Sequence, residues 1–76
     1  MLNAKVRKAF KGFKIAKVEE KPLMNTCTYV LEDTHGHTIT INLNIPLVAP
    51  YMSVQELKYN HQFIEIKSFL ESLGRW

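Results

Sequence analysis

Two imidazoles flank a glycine at His35-Gly36-His37, and this is the densest local cluster of reactive side chains in the chain. Together with Cys27 and His61 they could in principle bind a transition metal, and either of His35 and His37 could serve as a general base. A structural zinc site needs three or four converging ligands at characteristic spacing, and no CxxC or HExxH pattern is present. The plainer reading is a polar hairpin tip, with Cys27 turned into the core as a small hydrophobe. No metal or other cofactor is therefore assigned. The chain has a single aspartate, Asp33, so two aspartates cannot share acid and base work. The serines Ser53, Ser68 and Ser72 lie on no nucleophile elbow. With only Gly12, Gly36 and Gly74, no glycine-rich phosphate loop can form. The expectation is a protein that is not an enzyme.

Charge carries a stronger signal. Residues 1–18 contain Lys5, Arg7, Lys8, Lys11, Lys14 and Lys17 and no acid, so this stretch sums to +6, whereas residues 19–76 sum to −3. Lysine and arginine neutralise phosphates and release counterions, a source of affinity that does not depend on base sequence. These six residues are the candidate nucleic-acid contacts. The same asymmetry fits docking on an acidic protein surface. A second candidate surface is the apolar stretch 45–52 with its two prolines, Pro46 and Pro50. Leu47, Val48, Tyr51 and Met52, together with the terminal Trp76, are residue types enriched at protein interfaces. A homodimer through Trp76 or this proline loop would enlarge a small core.

These side chains need elements to hold them. The spacing of Leu2, Val6, Ala9 and Phe10 predicts a short amphipathic helix over 3–11, with Asn3 as N-cap and Gly12 ending it. Such a helix is too short to stand alone, so its apolar stripe must dock and leave its cations outward. Residues 13–20 read as a strand, with Phe13 and Ile15 on one face and Lys14, Ala16 and Val18 on the other. Residues 26–33 and 37–44 alternate more cleanly and suit a hairpin through Thr34-His35-Gly36. Pairing Asp33 with His37 sets Leu31 opposite Ile39 and Tyr29 opposite Ile41. A loop one residue shorter would set Leu31 against Thr40, so the apolar pattern selects the three-residue loop. On this register Ile41 is a core residue, and truncating it to alanine is expected to cost ~2–5 kcal/mol.

Ser53 and Glu56 form a capping-box pattern, which predicts a helix over 54–73 with Gly74 at its end. Tyr59, Phe63, Ile66, Phe69, Leu70 and Leu73 share a face, whereas Val54, Leu57 and Ile64 point away. That misfit suggests a break near Asn60-His61, or a second buried face.

The fold class is therefore α+β, a three-stranded antiparallel meander against a short N-terminal helix and a long C-terminal helical segment, in one domain spanning 1–76. The order is similar to that of double-stranded-RNA-binding folds, including some small ribonuclease toxins, in layout alone. The glycine- and histidine-bearing strand motif of those toxins is not present, since Cys27 and Thr28 occupy that stretch.

Composition bounds the rest. One cysteine excludes an intrachain disulfide. No run approaches the ~20 apolar residues of a membrane span, and the basic start lacks a signal peptide's apolar stretch, so the simplest compartment is the cytoplasm. The leading expectation is a small basic protein that binds nucleic-acid phosphate or a nucleic-acid-processing complex. The alternative is a small adaptor or inhibitor, viral origin included, docking an acidic protein. A third reading is a small ribonuclease using His35 or His37.

Overall fold

The computed structural model describes residues 4–46 and 53–76. Its central strand, β2, spans Thr26–Glu32 and buries every second residue, Cys27, Tyr29 and Leu31. That is the pattern of a strand whose sheet is covered on one face only. β3 (Thr38–Asn44) pairs with it antiparallel, with Leu31 opposite Ile39, Tyr29 opposite Ile41 and Cys27 opposite Leu43. The hairpin has the three-residue loop that the apolar pattern selects. The Asp33 N–H donates to the His37 carbonyl at 3.1 Å, and Gly36 takes φ +82°, a left-handed turn that glycine adopts without a Cβ clash.

β1 (Lys14–Lys21) completes the sheet in the order β1-β2-β3. Here the expected alternation fails for a definite reason. Ile15 pairs with Leu31, but the next partner of Val30 is Lys17, so Ala16 is an extra residue in a β-bulge. The bulge returns Val18 to the Ile15 face, where it packs against the core instead of lying opposite. Pro22–Met24 form a 3-10 turn into β2, and Asn25 takes a left-handed conformation at its end.

The long C-terminal helix lies over the core face. α2 (Val54–Ser72) starts at the capping box as expected: the Glu56 N–H donates to Ser53 Oγ at 3.2 Å, and the Ser53 N–H donates to Glu56 Oε1 at 3.4 Å. The helix runs unbroken through Asn60 and His61. Its Leu70 is buried against Ile15, Tyr29 and Leu31, with Ile66, Phe69 and Leu73 packed around them. Neither a break nor a second buried face is found. Val54, Leu57 and Ile64 stay exposed at 71%, 53% and 53%, because a single sheet can cover only one face of the helix.

α1 is shorter than expected, Ala4–Ala9, and buries none of its residues. Its stripe does not dock as a whole. Val6 and Ala9 are exposed, and Phe10 makes the attachment, its ring edge-on to Phe69 with centroids 5.6 Å apart. Leu2 and the proposed cap Asn3 lie outside the described residues.

After α2 the chain reverses at Gly74, φ +82°, and runs beside β1. The Ile15 N–H donates to the Gly74 carbonyl at 2.8 Å and the Trp76 N–H donates to the Ile15 carbonyl at 3.1 Å. This parallel bridge closes part of the outer edge of β1.

Candidate nucleic-acid interface

The six candidate cations fall into two groups. Lys5, Arg7 and Lys8 are on α1 and Lys11 is in the turn that follows; all four are exposed, and none forms an ion pair among the described residues. The docking of Phe10 holds this helix against the body while its cations face water.

Lys14 and Lys17 belong to β1 and lie on the sheet face away from the helices. The bulge decides this. Lys14 pairs with Glu32 and Lys17 with Val30, residues that alternate with the buried Tyr29 and Leu31. Lys21, just beyond the basic stretch 1–18, shares that face opposite Thr26. The signal that could have found it is the strand period, once the bulge is known. The same face carries Thr28, whose hydroxyl donates to Asn42 Oδ1 at 2.7 Å across to β3.

These sheet lysines are partly engaged. Glu19 lies 3.8 Å from Lys17 and 3.7 Å from Lys21. Exposed pairs of this kind are worth at most about 1 kcal/mol, so Glu19 holds both lysines only weakly. The Lys14 ammonium sits 4.9 Å from the centre of the Trp76 ring, a cation–π contact, and the indole N–H donates to the Glu32 carbonyl at 3.2 Å. Trp76 is thereby fixed on the sheet while remaining 60% exposed. Its proposed companions in a protein interface, Leu47, Val48, Tyr51 and Met52, lie outside the described residues.

The histidine turn is organised by Asp33. Its Oδ1 accepts the N–H groups of His35 and His37, each at 2.9 Å, and its Oδ2 lies 3.0 Å from His37 Nδ1. Desolvation works against the charged carboxylate, but these hydrogen bonds, led by the His37 ring, hold it below the usual aspartate range. The two imidazoles stack with centroids 6.1 Å apart. Cys27 pairs with Leu43, toward the other end of the hairpin, and His61 is on α2 beside Glu65 at 3.9 Å. The four residues that could have shared a metal therefore do not converge, and no group of three or more such ligands occurs among the described residues. What the turn can do is orient one imidazole at an exposed tip.

Comparison with protein families, curated proteins and solved structures finds no match to this chain.

Proposed function

We propose that this chain is a single-domain cytoplasmic binding module that holds nucleic-acid phosphate on α1 and does no chemistry on it. The observation that carries the reading is the state of Lys5, Arg7, Lys8 and Lys11: four exposed cations with no ion pair among the described residues. A solvated helix face usually mixes signs, as solubility requires only modest charge. Cations left uncompensated instead favour a polyanion, since each phosphate contact releases counterions.

The outer sheet face would extend the contact. Lys14, Lys17 and Lys21 offer charge there, and Thr28, Thr40 and Asn42 offer hydrogen-bonding groups suited to phosphate and sugar oxygens. Phosphate and sugar contacts carry no sequence information, so binding through them would be largely independent of sequence. Among the described residues no helix is long and apolar enough to cross a membrane.

The test is a salt titration of binding to labelled DNA and RNA. The expected result is affinity that falls as salt rises, with the slope of log K against log salt reduced by roughly one for each phosphate-contacting cation removed in Lys5→Gln, Arg7→Gln and Lys8→Gln. Because α1 buries none of its residues, these changes should leave the melting temperature in place. No binding at low salt, or affinity indifferent to salt, overturns the reading. A protein partner retained on the tagged chain after nuclease treatment would instead support the adaptor that docks an acidic surface.

A further inference from the structure

We infer that β3 is a docking edge for a second copy of this chain, giving a two-fold dimer with one continuous six-stranded sheet. One side of β3 presents main-chain groups that no strand pairs among the described residues. Two bonds bracket the strand: the Asp33 N–H donates to the His37 carbonyl, and the Ile45 N–H donates to the Asn25 carbonyl. In an antiparallel ladder the residues bonded to the neighbour alternate with residues whose N–H and C=O point the other way. Counting between the two brackets, Ile39, Ile41 and Leu43 turn their main chain to β2. Thr38, Thr40, Asn42 and Asn44 turn theirs outward. The Tyr59 hydroxyl donates to the Asn44 carbonyl at 3.1 Å, as an outward-pointing carbonyl allows. Among the described residues no strand pairs with this edge.

Edge strands in monomers are usually guarded by charge, proline or a bulge. The other edge of this sheet is guarded in several ways. β1 carries Lys14, Lys17, Glu19, Glu20 and Lys21, a bulge at Ala16, and the chain end 74–76 laid along it. Among the described residues β3 has none of these. It reads Thr-Ile-Thr-Ile-Asn-Leu-Asn, with no charge, no proline and an unbroken register.

The same pattern identifies the occupant. Polar and apolar residues in β3 read identically in both directions about Ile41. An antiparallel second copy centred there sets Ile41 against Ile41, Ile39 against Leu43, Thr40 against Asn42 and Thr38 against Asn44. Residues directly opposite in such a pair share a face, so every apolar side chain meets an apolar one. The residues opposite one another also have outward main chains: Thr40 meets Asn42 of the partner subunit with both sets of groups open, and Thr38 meets Asn44 of the partner subunit, whose carbonyl would share its acceptor capacity with the Tyr59 hydroxyl. A shift of one residue would set isoleucine against threonine and leave the outward groups unmatched. The strand is neutral, so two copies do not repel along it.

Sedimentation equilibrium across a concentration series tests this. The expected result is a mass that rises with concentration from 8.8 kDa toward double that value. Thr40→Pro should abolish the rise. Its N–H points away from β2, so the substitution leaves the internal ladder whole, which an unchanged melting temperature would verify. Amide exchange of the unaltered protein gives a second readout that needs no variant. The amides of Thr40 and Asn42 should slow as concentration rises, while those of Ile39, Ile41 and Leu43 are slow throughout. A constant 8.8 kDa mass up to the solubility limit overturns the inference. So does a dimer that survives Thr40→Pro while, in the unaltered protein, the amides of Thr40 and Asn42 still exchange fast, because its contact would lie elsewhere. Protection of those amides only on adding an extended neutral peptide would also overturn it, since the edge would then serve a different partner.

Discussion

The hydroxyl of Tyr29 donates to Glu71 Oε1 at 3.1 Å, tying the middle of β2 to the last turn of α2. Tyr29 has no exposed surface, so its polar end must find a partner inside the fold. Glu71 supplies one and is itself gripped by Arg75 Nη2 at 3.1 and 3.0 Å. The chain Tyr29–Glu71–Arg75 therefore runs from the core to the surface. Each group shifts its neighbour: the Arg75 hydrogen bond holds the Glu71 carboxyl below its ordinary range, partly opposed by desolvation, while burial and then the bond to Glu71 push the Tyr29 phenol well upward.

Tyr29→Phe should cost about 1 kcal/mol, the net worth of one hydrogen bond. The ring keeps its packing, and Glu71 stays paired with Arg75, so no buried polar group is orphaned. Tyr29→Ala should cost ~3–5 kcal/mol by emptying the centre of the core. Urea unfolding of the three proteins checks the order. Equal losses for the two variants would mean that the ring contributes little, contrary to its complete burial.

The raised phenol also fixes the response to alkali. Because the folded state favours neutral Tyr29, its contribution is fully present below the ordinary value of 10.0 and is lost as pH rises beyond it, when the unfolded chain sheds the proton first. Stability of the natural protein should fall more steeply above that pH than stability of Tyr29→Phe. Parallel curves through the alkaline range would show that Tyr29 ionises as easily folded as unfolded.

Part of this fold could be read from residues alone. The hairpin register was legible because a one-residue slip would have reversed Tyr29, Leu31, Ile39 and Ile41 together. The capping box at Ser53 and Glu56 was legible because its two bonds are local. The faces of β1 were not, since the bulge at Ala16 inserts an odd residue that no period of two announces. Nor was the fate of Val54, Leu57 and Ile64, because the sequence does not say how many layers will cover a helix. The cations show the same division. Their excess in the first eighteen residues is simple addition, but the engagement of Lys17 and Lys21 by Glu19 follows from facing, and the seat of Lys14 over Trp76 needs a residue 62 positions further along the chain.

Burial separates two hairpin residues that the sequence treats alike. Leu31 has no exposed surface, whereas Ile41 on the edge strand is only half-buried. Leu31→Ala should cost ~2–5 kcal/mol, and Ile41→Ala should fall at or below the lower end of that range, because water already reaches part of its side chain. Thermal or urea unfolding at a concentration low enough to keep the protein monomeric gives the comparison. A larger loss at Ile41 would mean that β3 is more deeply covered than its half-burial indicates.

The hairpin turn should loosen in acid. Asp33 accepts two main-chain N–H groups and faces the His37 ring, and these bonds exist in full only while the carboxylate is charged. Its folded value lies below the ordinary 3.8, so its stabilisation is present above that pH and disappears as pH falls through the lower folded value. Amide exchange at His35 and His37, corrected for the intrinsic pH dependence of exchange, should accelerate over that window while the ladder at Tyr29 and Ile41 holds. Asp33→Ala should show the accelerated rates already at neutral pH, because alanine leaves both N–H groups to water. If the His35 and His37 amides exchange at the same rate with and without the carboxylate, the turn is held by Gly36 and the strand ends alone.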